Sequence, residues 1–133
     1  MQPIFFEKSL IVGNKSSPVA ICTLWSKKEA IAQNLPQDKY CVIGNLYSAD
    51  GINYLIKNIL ANPQIRYLVV CGQDFFKSGE ILNNFFSQGV GPDRKIIGAE
   101  AYLHSNIPFE ALEQVRKHVQ LIDLRDKEGE LAQ

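Results

Sequence analysis

Histidine, methionine and tryptophan are scarce in this chain of 133 residues, with two, one and one copies. The three cysteines, Cys22, Cys41 and Cys71, are odd in number and widely spaced, which excludes a disulfide framework and the paired spacing of a zinc site. Neither sign of charge is in excess: 14 basic residues stand against 14 acidic ones. That balance removes the electrostatic footprint of a general nucleic-acid or anionic-membrane binder. No apolar run approaches the roughly 20 residues of a bilayer span, and no signal-peptide pattern opens the chain. A soluble, cytoplasmic protein that contacts neither nucleic acid nor membrane is therefore expected. Both nucleotide fingerprints are missing, the G-x-G-x-x-G turn and the G-x-x-x-x-G-K loop, so a dinucleotide or triphosphate ligand is not expected.

Hydrophobic residues make up 46% of the chain, enough at this length for one domain with its own core. The pattern alternates strands and helices. Ser9 to Val12 reads as a short leading strand, and Val19 to Leu24, Tyr40 to Ile43 and Arg66 to Val70 read as buried strands. Lys95 to Ile97 is expected to be a fourth and His118 to Leu124 a closing strand. Between them, SKKEAIAQNL follows a Ser26 N-cap and ends at Pro36. Ile52, Leu55, Ile56, Ile59 and Leu60 fall on one helical stripe that Ser48 or Asp50 can cap. Ile81, Leu82, Phe85 and Phe86 mark a helix that stops at Gly89 in a left-handed cap, and Leu112, Val115 and Val119 give the last helix its apolar face. The expectation is a single α/β domain over 1–133, three-layered and Rossmann-like, with a mostly parallel sheet of about five strands and a frayed tail over 125–133.

In open parallel sheets, ligands bind beyond the carboxyl ends of the strands. The unusual residues of this chain gather at those positions: Thr23, Trp25 and Ser26 after one strand; Gly44, Asn45, Tyr47, Ser48 and Asp50 after the next; Gly72, Gln73 and Asp74 after the third; Gly98, Glu100 and Tyr102 after the fourth. Glycines let backbone approach a ligand, the polar side chains floor a pocket, and Trp25, Tyr47 and Tyr102 offer flat walls to a planar ring. Catalytic residues stay unassigned. Cys71 reads as a buried apolar residue, Asp74 and Glu80 form only a nominal acid and base pair, and His104 and His118 read as surface residues. No metal site is expected.

The stretches PVAICTLWS, YCVIGNLYSADGINYLIKNILANPQIRYLVVCGQD and KIIGAEAYLHSNIPFEALEQVRKHVQLIDL resemble the A subunit of the methanogen tetrahydromethanopterin S-methyltransferase complex. They are also similar to the related soluble domain found alone in bacteria and fused to some archaeal thymidylate synthases. The likeness runs from about Pro18 to Asp123, and its most specific block is Asn62-Pro63 through Cys71-Gly72, followed by Ser78-Gly79 and Gly89-Val90.

The resemblance implies a Rossmann-like domain that holds a corrinoid over the strand ends while a methyl group passes from a pterin to a thiol. It also implies a histidine below the cobalt, in the loop after the third main strand. Here that loop, Gln73 to Glu80, reads QDFFKSGE and has no histidine, and D-x-H-x-x-G is absent as well. The implied module therefore binds a corrinoid without protein histidine ligation. With no membrane anchor before its end at Gln133, it is expected to be a soluble relative. Two alternatives stay open. One is a pterin or folate binder that acts beside a one-carbon enzyme, with Asn45, Asp50, Gln73 and Asp74 reading the ring. The other is an interaction module or homo-oligomer that uses the apolar pairs Phe5-Phe6 and Phe75-Phe76.

Overall fold

A computed structural model describes residues 5–125. Five strands, β1 (Ile11–Val12), β2 (Val19–Cys22), β3 (Val42–Gly44), β4 (Tyr67–Val70) and β5 (Gln120–Asp123), form one sheet in the order β1-β3-β2-β4-β5. All neighbours are parallel except β1, which pairs antiparallel with β3 at the edge. Four helices connect them: α1 (Lys28–Ala32), α2 (Gly51–Leu60), α3 (Ser78–Gln88) and α4 (Phe109–His118). The α/β expectation holds.

The apolar stripe read from the sequence sets the main core. Ile52, Ile56 and Ile59 of α2, Leu82 and Phe85 of α3, and Leu112 and Val115 of α4 close over Ala20, Cys22, Val42, Leu68 and Val70. Each fully buried aliphatic or aromatic side chain contributes roughly 1.5–3 kcal/mol. The opposite face is thinner. The five-residue α1 covers Ile21 and Ile43 through Ile31, while Tyr67 beyond it stays 40% exposed.

Several local expectations need correction. Residues 95–97 form no strand of the sheet. Ile96 bridges Val90 and Lys95 bridges Tyr102 in an irregular excursion between α3 and α4, and the fifth strand is the antiparallel β1. A run of three apolar and charged residues beside Gly91 and Gly98 is too short to tell a sheet strand from a local bridge. Ser26 does not cap α1; that helix starts at Lys28 after Lys27, with no side-chain cap. Asp50 likewise makes no cap bond to α2. The strand expected to end at Leu24 stops at Cys22, and Gly89 ends α3 at φ 81°, ψ −154°, an extended mirror conformation that in practice only glycine adopts, not the left-handed cap. Of the tail, Arg125 is tied down by ion pairs, and 126–133 lie outside the described residues.

After β2 the chain crosses by α1 to β3 on one side, and after β3 it crosses by α2 to β4 on the other. The carboxyl ends of β2 and β4 therefore flank the point where the strand order reverses, which is where open α/β sheets place ligands.

Candidate functional site

At that point the two loops are stitched together. The Trp25 N–H donates to the Gln73 carbonyl at 3.1 Å, and the Gln73 N–H donates to Ser26 Oγ at 2.9 Å. Gly72 sits between them at φ +86°, where an added Cβ would overlap the Thr23 carbonyl oxygen. From the neighbouring strand end, the Asn45 amide reaches Thr23 Oγ1 at 3.1 Å, the Leu24 carbonyl at 2.9 Å and the Ser26 carbonyl at 2.7 Å. These bonds hold Leu24 fully buried in a left-handed conformation, φ 54°, which costs an ordinary residue about 1–2 kcal/mol.

Holding Leu24 inward turns Trp25 outward onto a cluster of rings. The indole meets Tyr47 at 4.8 Å between centroids, Phe76 at 5.5 Å and Phe75 at 6.0 Å. Phe76 is 79% exposed, and Tyr47 and Phe75 are about half exposed. The loop that presents the two phenylalanines is strained: Phe76 and Lys77 are successive left-handed residues, φ 60° and 62°. Non-glycine residues held in that region need surrounding structure to over-determine them, and they concentrate at ligand sites. Trp25 Nε1 is buried with no hydrogen-bond partner.

Asp74 supplies the restraint. Its carboxylate accepts the Gly79 N–H at 2.7 Å and the Glu80 N–H at 3.0 Å at the start of α3, and receives Arg125 Nη1 at 2.9 Å. Arg125 also grips both oxygens of Asp123 at 2.8 Å, which lowers the Asp123 pKa and keeps the guanidinium charged. Ser78 Oγ ties the same helix start to the Leu46 carbonyl. Asp74 therefore positions the aromatic loop, and its oxygens are already engaged by the chain rather than turned to an acid or base role.

A second cluster lies at the start of α2. Lys57 Nζ lies 3.4 Å from His104 Nδ1, and His104 Nε2 lies 2.8 Å from Asp50 Oδ1. An ammonium only donates, so the contact with Lys57 uses Nδ1 as acceptor and leaves Nε2 to face the carboxylate. Asn53, fully buried, accepts the His104 backbone N–H at 2.7 Å. Ser48 and Asp50 line a hollow of about 640 Å³ that also reaches Gly44, Asn45 and Tyr47. The segment over it is fixed by the Asn58 carboxamide, which exchanges two 3.0 Å bonds with the Phe5 backbone.

Thr23, Trp25, Gly44, Asn45, Tyr47, Gly72, Gln73 and Asp74 thus share one rim, with Ser48 and Asp50 beside it. Gly98, Glu100 and Tyr102 do not. The Gly98 carbonyl accepts from Asn84 in the second half of α3, which runs away from the rim, and Glu100 pairs with Lys95 at the surface. Their place in the site depends on residues 95–97 being a strand, and it falls with that strand. The sequence pattern presents Phe75 and Phe76 only as an interface pair, yet they complete the ring cluster. The doublet in a short loop before Ser78-Gly79 is the available signal. The thiols offer no nucleophile: burial raises the pKa of Cys22 to about 12 and of Cys41 to about 11, and Cys71 is fully buried. Among the described residues no group of His, Cys, Asp and Glu can hold a metal ion, and no helix is long and apolar enough to cross a membrane.

The family model for the A subunit of tetrahydromethanopterin S-methyltransferase matches residues 4–132. The second form of that A subunit from Methanothermobacter marburgensis is 34% identical, over 92% of this chain and 68% of its own length. The first form from Methanobrevibacter ruminantium is 36% identical, over 89% of this chain and 49% of its own. The corresponding A subunit from Methanopyrus kandleri is 38% identical, over 85% and 48%. The chain therefore spans between about half and two thirds of the length of these relatives.

Proposed function

The chain belongs to the A-subunit family of tetrahydromethanopterin S-methyltransferase, and from that membership we propose that it is a corrinoid-binding carrier module for methyl transfer, with the corrin ring laid on Trp25, Tyr47, Phe75 and Phe76. The observation that carries this reading is the exposed ring cluster at the strand-order reversal, held out by two successive left-handed residues.

The surface suits a broad planar macrocycle fringed with amides. Aromatic faces bury its apolar plane. No ligand to cobalt comes from this rim. The loop of residues 73–80 contains no histidine, His104 is engaged by Asp50 and Lys57, and His118 is exposed at the far end of α4. Binding would accordingly rest on stacking and hydrogen bonds, with no side chain of this rim supplied to the metal. A bound corrinoid supplies the metal centre that takes up and releases the methyl group; the chain binds the ring, orients it and keeps water from one face. The methyl donor and acceptor sites then belong to one-carbon partner proteins. A pterin or folate is less well served, because among Asn45, Asp50, Gln73 and Asp74, the side chains expected to read its ring, Asn45 commits its amide N–H, Asp74 both carboxylate oxygens and Asp50 one oxygen to contacts within the chain.

Titration of the protein with hydroxocobalamin tests the reading. Bound cofactor should shift the visible bands, quench Trp25 and co-elute with the protein. No shift and no co-elution at high micromolar concentration overturns it.

A further inference from the structure

We propose that β5 is a dimer seam, pairing antiparallel with β5 of a second copy so that the five-stranded sheet becomes one of ten strands. Among the described residues the strand lies at the sheet edge, bonded only to β4. The Gln120 N–H donates to the Arg66 carbonyl and the Leu124 N–H to the Val70 carbonyl, so the alternate residues Leu121 and Asp123 turn their backbone groups away from the sheet. Natural edges are blunted by proline, inward-pointing charge, lysine or a bulge. QLID has no proline or lysine, its ladder to β4 is unbroken, and its carboxylate is neutralised by Arg125 of the same chain.

The outward groups select both partner and register. In a twofold pair about an axis normal to the sheet, residues of the same face must meet across the seam. Placing Leu121 opposite Asp123 of the second copy satisfies this rule twice, and the two sites together form four backbone hydrogen bonds. Ile122 then faces its own copy across the axis in a non-hydrogen-bonded pair, and Gln120 faces Leu124. The neighbouring register, with Leu121 opposite itself, sets Asp123 against Val119, whose N–H is already spent on the Val115 carbonyl. No like charges meet in the favoured register. On the thinly covered face, Ile122 registers beside Val69, next to the exposed Tyr67, so the seam also extends an apolar strip that α1 leaves open.

Two measurements test the seam. Sedimentation of the wild-type chain should give the mass of two copies, and Ile122→Lys, which sets two ammonium groups face to face, should give one. Ile122→Cys should form an intermolecular disulfide under copper-phenanthroline oxidation that reductant reverses. Non-hydrogen-bonded pairs bring Cβ atoms to about 4.5–5.5 Å, and the native thiols Cys22, Cys41 and Cys71 are buried. Gln120→Cys, displaced from its own copy by four residues across the seam, should not cross-link. This second measurement decides the matter if the lysine variant fails to fold. A monomeric wild type at high micromolar concentration, a dimer that survives Ile122→Lys, or equal cross-linking at 120 and 122 overturns the proposal.

Discussion

Ser26 Oγ accepts the Gln73 backbone N–H at 2.9 Å, 47 residues away in sequence. With the Trp25 N–H on the Gln73 carbonyl, that bond joins the loops that follow β2 and β4. The joined loops gather the rings of Trp25, Tyr47, Phe75 and Phe76 in one cluster. The same serine, in a stretch that reads as a helix cap, serves the neighbouring loop instead.

Loosening the stitch should cost stability in proportion to what is lost. Ser26→Ala leaves the Gln73 N–H without its acceptor, and we expect a loss of about 1–2 kcal/mol in urea unfolding. Gly72→Ala is worse. It forces an ordinary residue to φ +86° and sets a Cβ against backbone rather than a movable side chain, so the loss should exceed about 2 kcal/mol.

Most of the framework is legible in the sequence because it rests on local pattern. The 3.6-residue stripe from Ile52 to Leu60 and the continuous apolar runs of β2 and β4 announce themselves without tertiary context. Residues 95–97 do not, because isolated bridges have the same local composition as a short strand and only long-range pairing tells them apart. The rim is half legible for the same reason. Turn residues after true strands mark Asn45 and Gln73, whereas nothing in the sequence shows that Asn45 spends its amide on the Trp25 loop or that Phe76 adopts a left-handed backbone. Such features are imposed by packing against propensity, and strained sites are where local reading is expected to fail.

The pair of Asp123 and Arg125 should make the fold sensitive to acid. Arg125 lowers the Asp123 pKa below its unfolded value near 3.9. The contribution of Asp123 is thus complete above that value and is lost as pH falls through the lower folded one. Arg125→Gln should cost about 1 kcal/mol at neutral pH, the partial exposure of both partners limiting the effect. The difference from wild type should shrink as pH falls below the unfolded value of about 3.9. A penalty unchanged at low pH would assign the role of Arg125 to packing.

The buried thiols should be silent. With Cys22 pushed up to about 12 and Cys41 to about 11, neither forms thiolate near pH 8, and Cys71 is shielded by full burial. A chromogenic disulfide reagent should label the native chain far more slowly than the urea-unfolded chain. Because unfolding restores ordinary thiol pKa values near 8.5, the unfolded state binds fewer protons above that pH, and stability should fall as pH rises from about 9 toward 12. Fast labelling of any one thiol in the native protein would contradict this.

Phe76 separates binding from folding. Its ring is 79% exposed, so removing it uncovers little, and its φ of 60° is one that glycine adopts freely. Phe76→Gly should relieve about 1–2 kcal/mol of backbone strain while giving the unfolded chain about 0.5–1 kcal/mol of extra entropy. Stability should therefore stay within about 1 kcal/mol of wild type. A stacking contact contributes about 0.5–1.5 kcal/mol beyond the area it buries, so hydroxocobalamin affinity should fall about tenfold. Lys77→Gly changes the backbone in the same way at φ 62° but keeps the ring, and it should retain wild-type affinity. If both variants weaken binding equally, the stiffness of the loop matters and the ring does not. If Phe76→Gly binds as tightly as wild type, the corrinoid lies elsewhere.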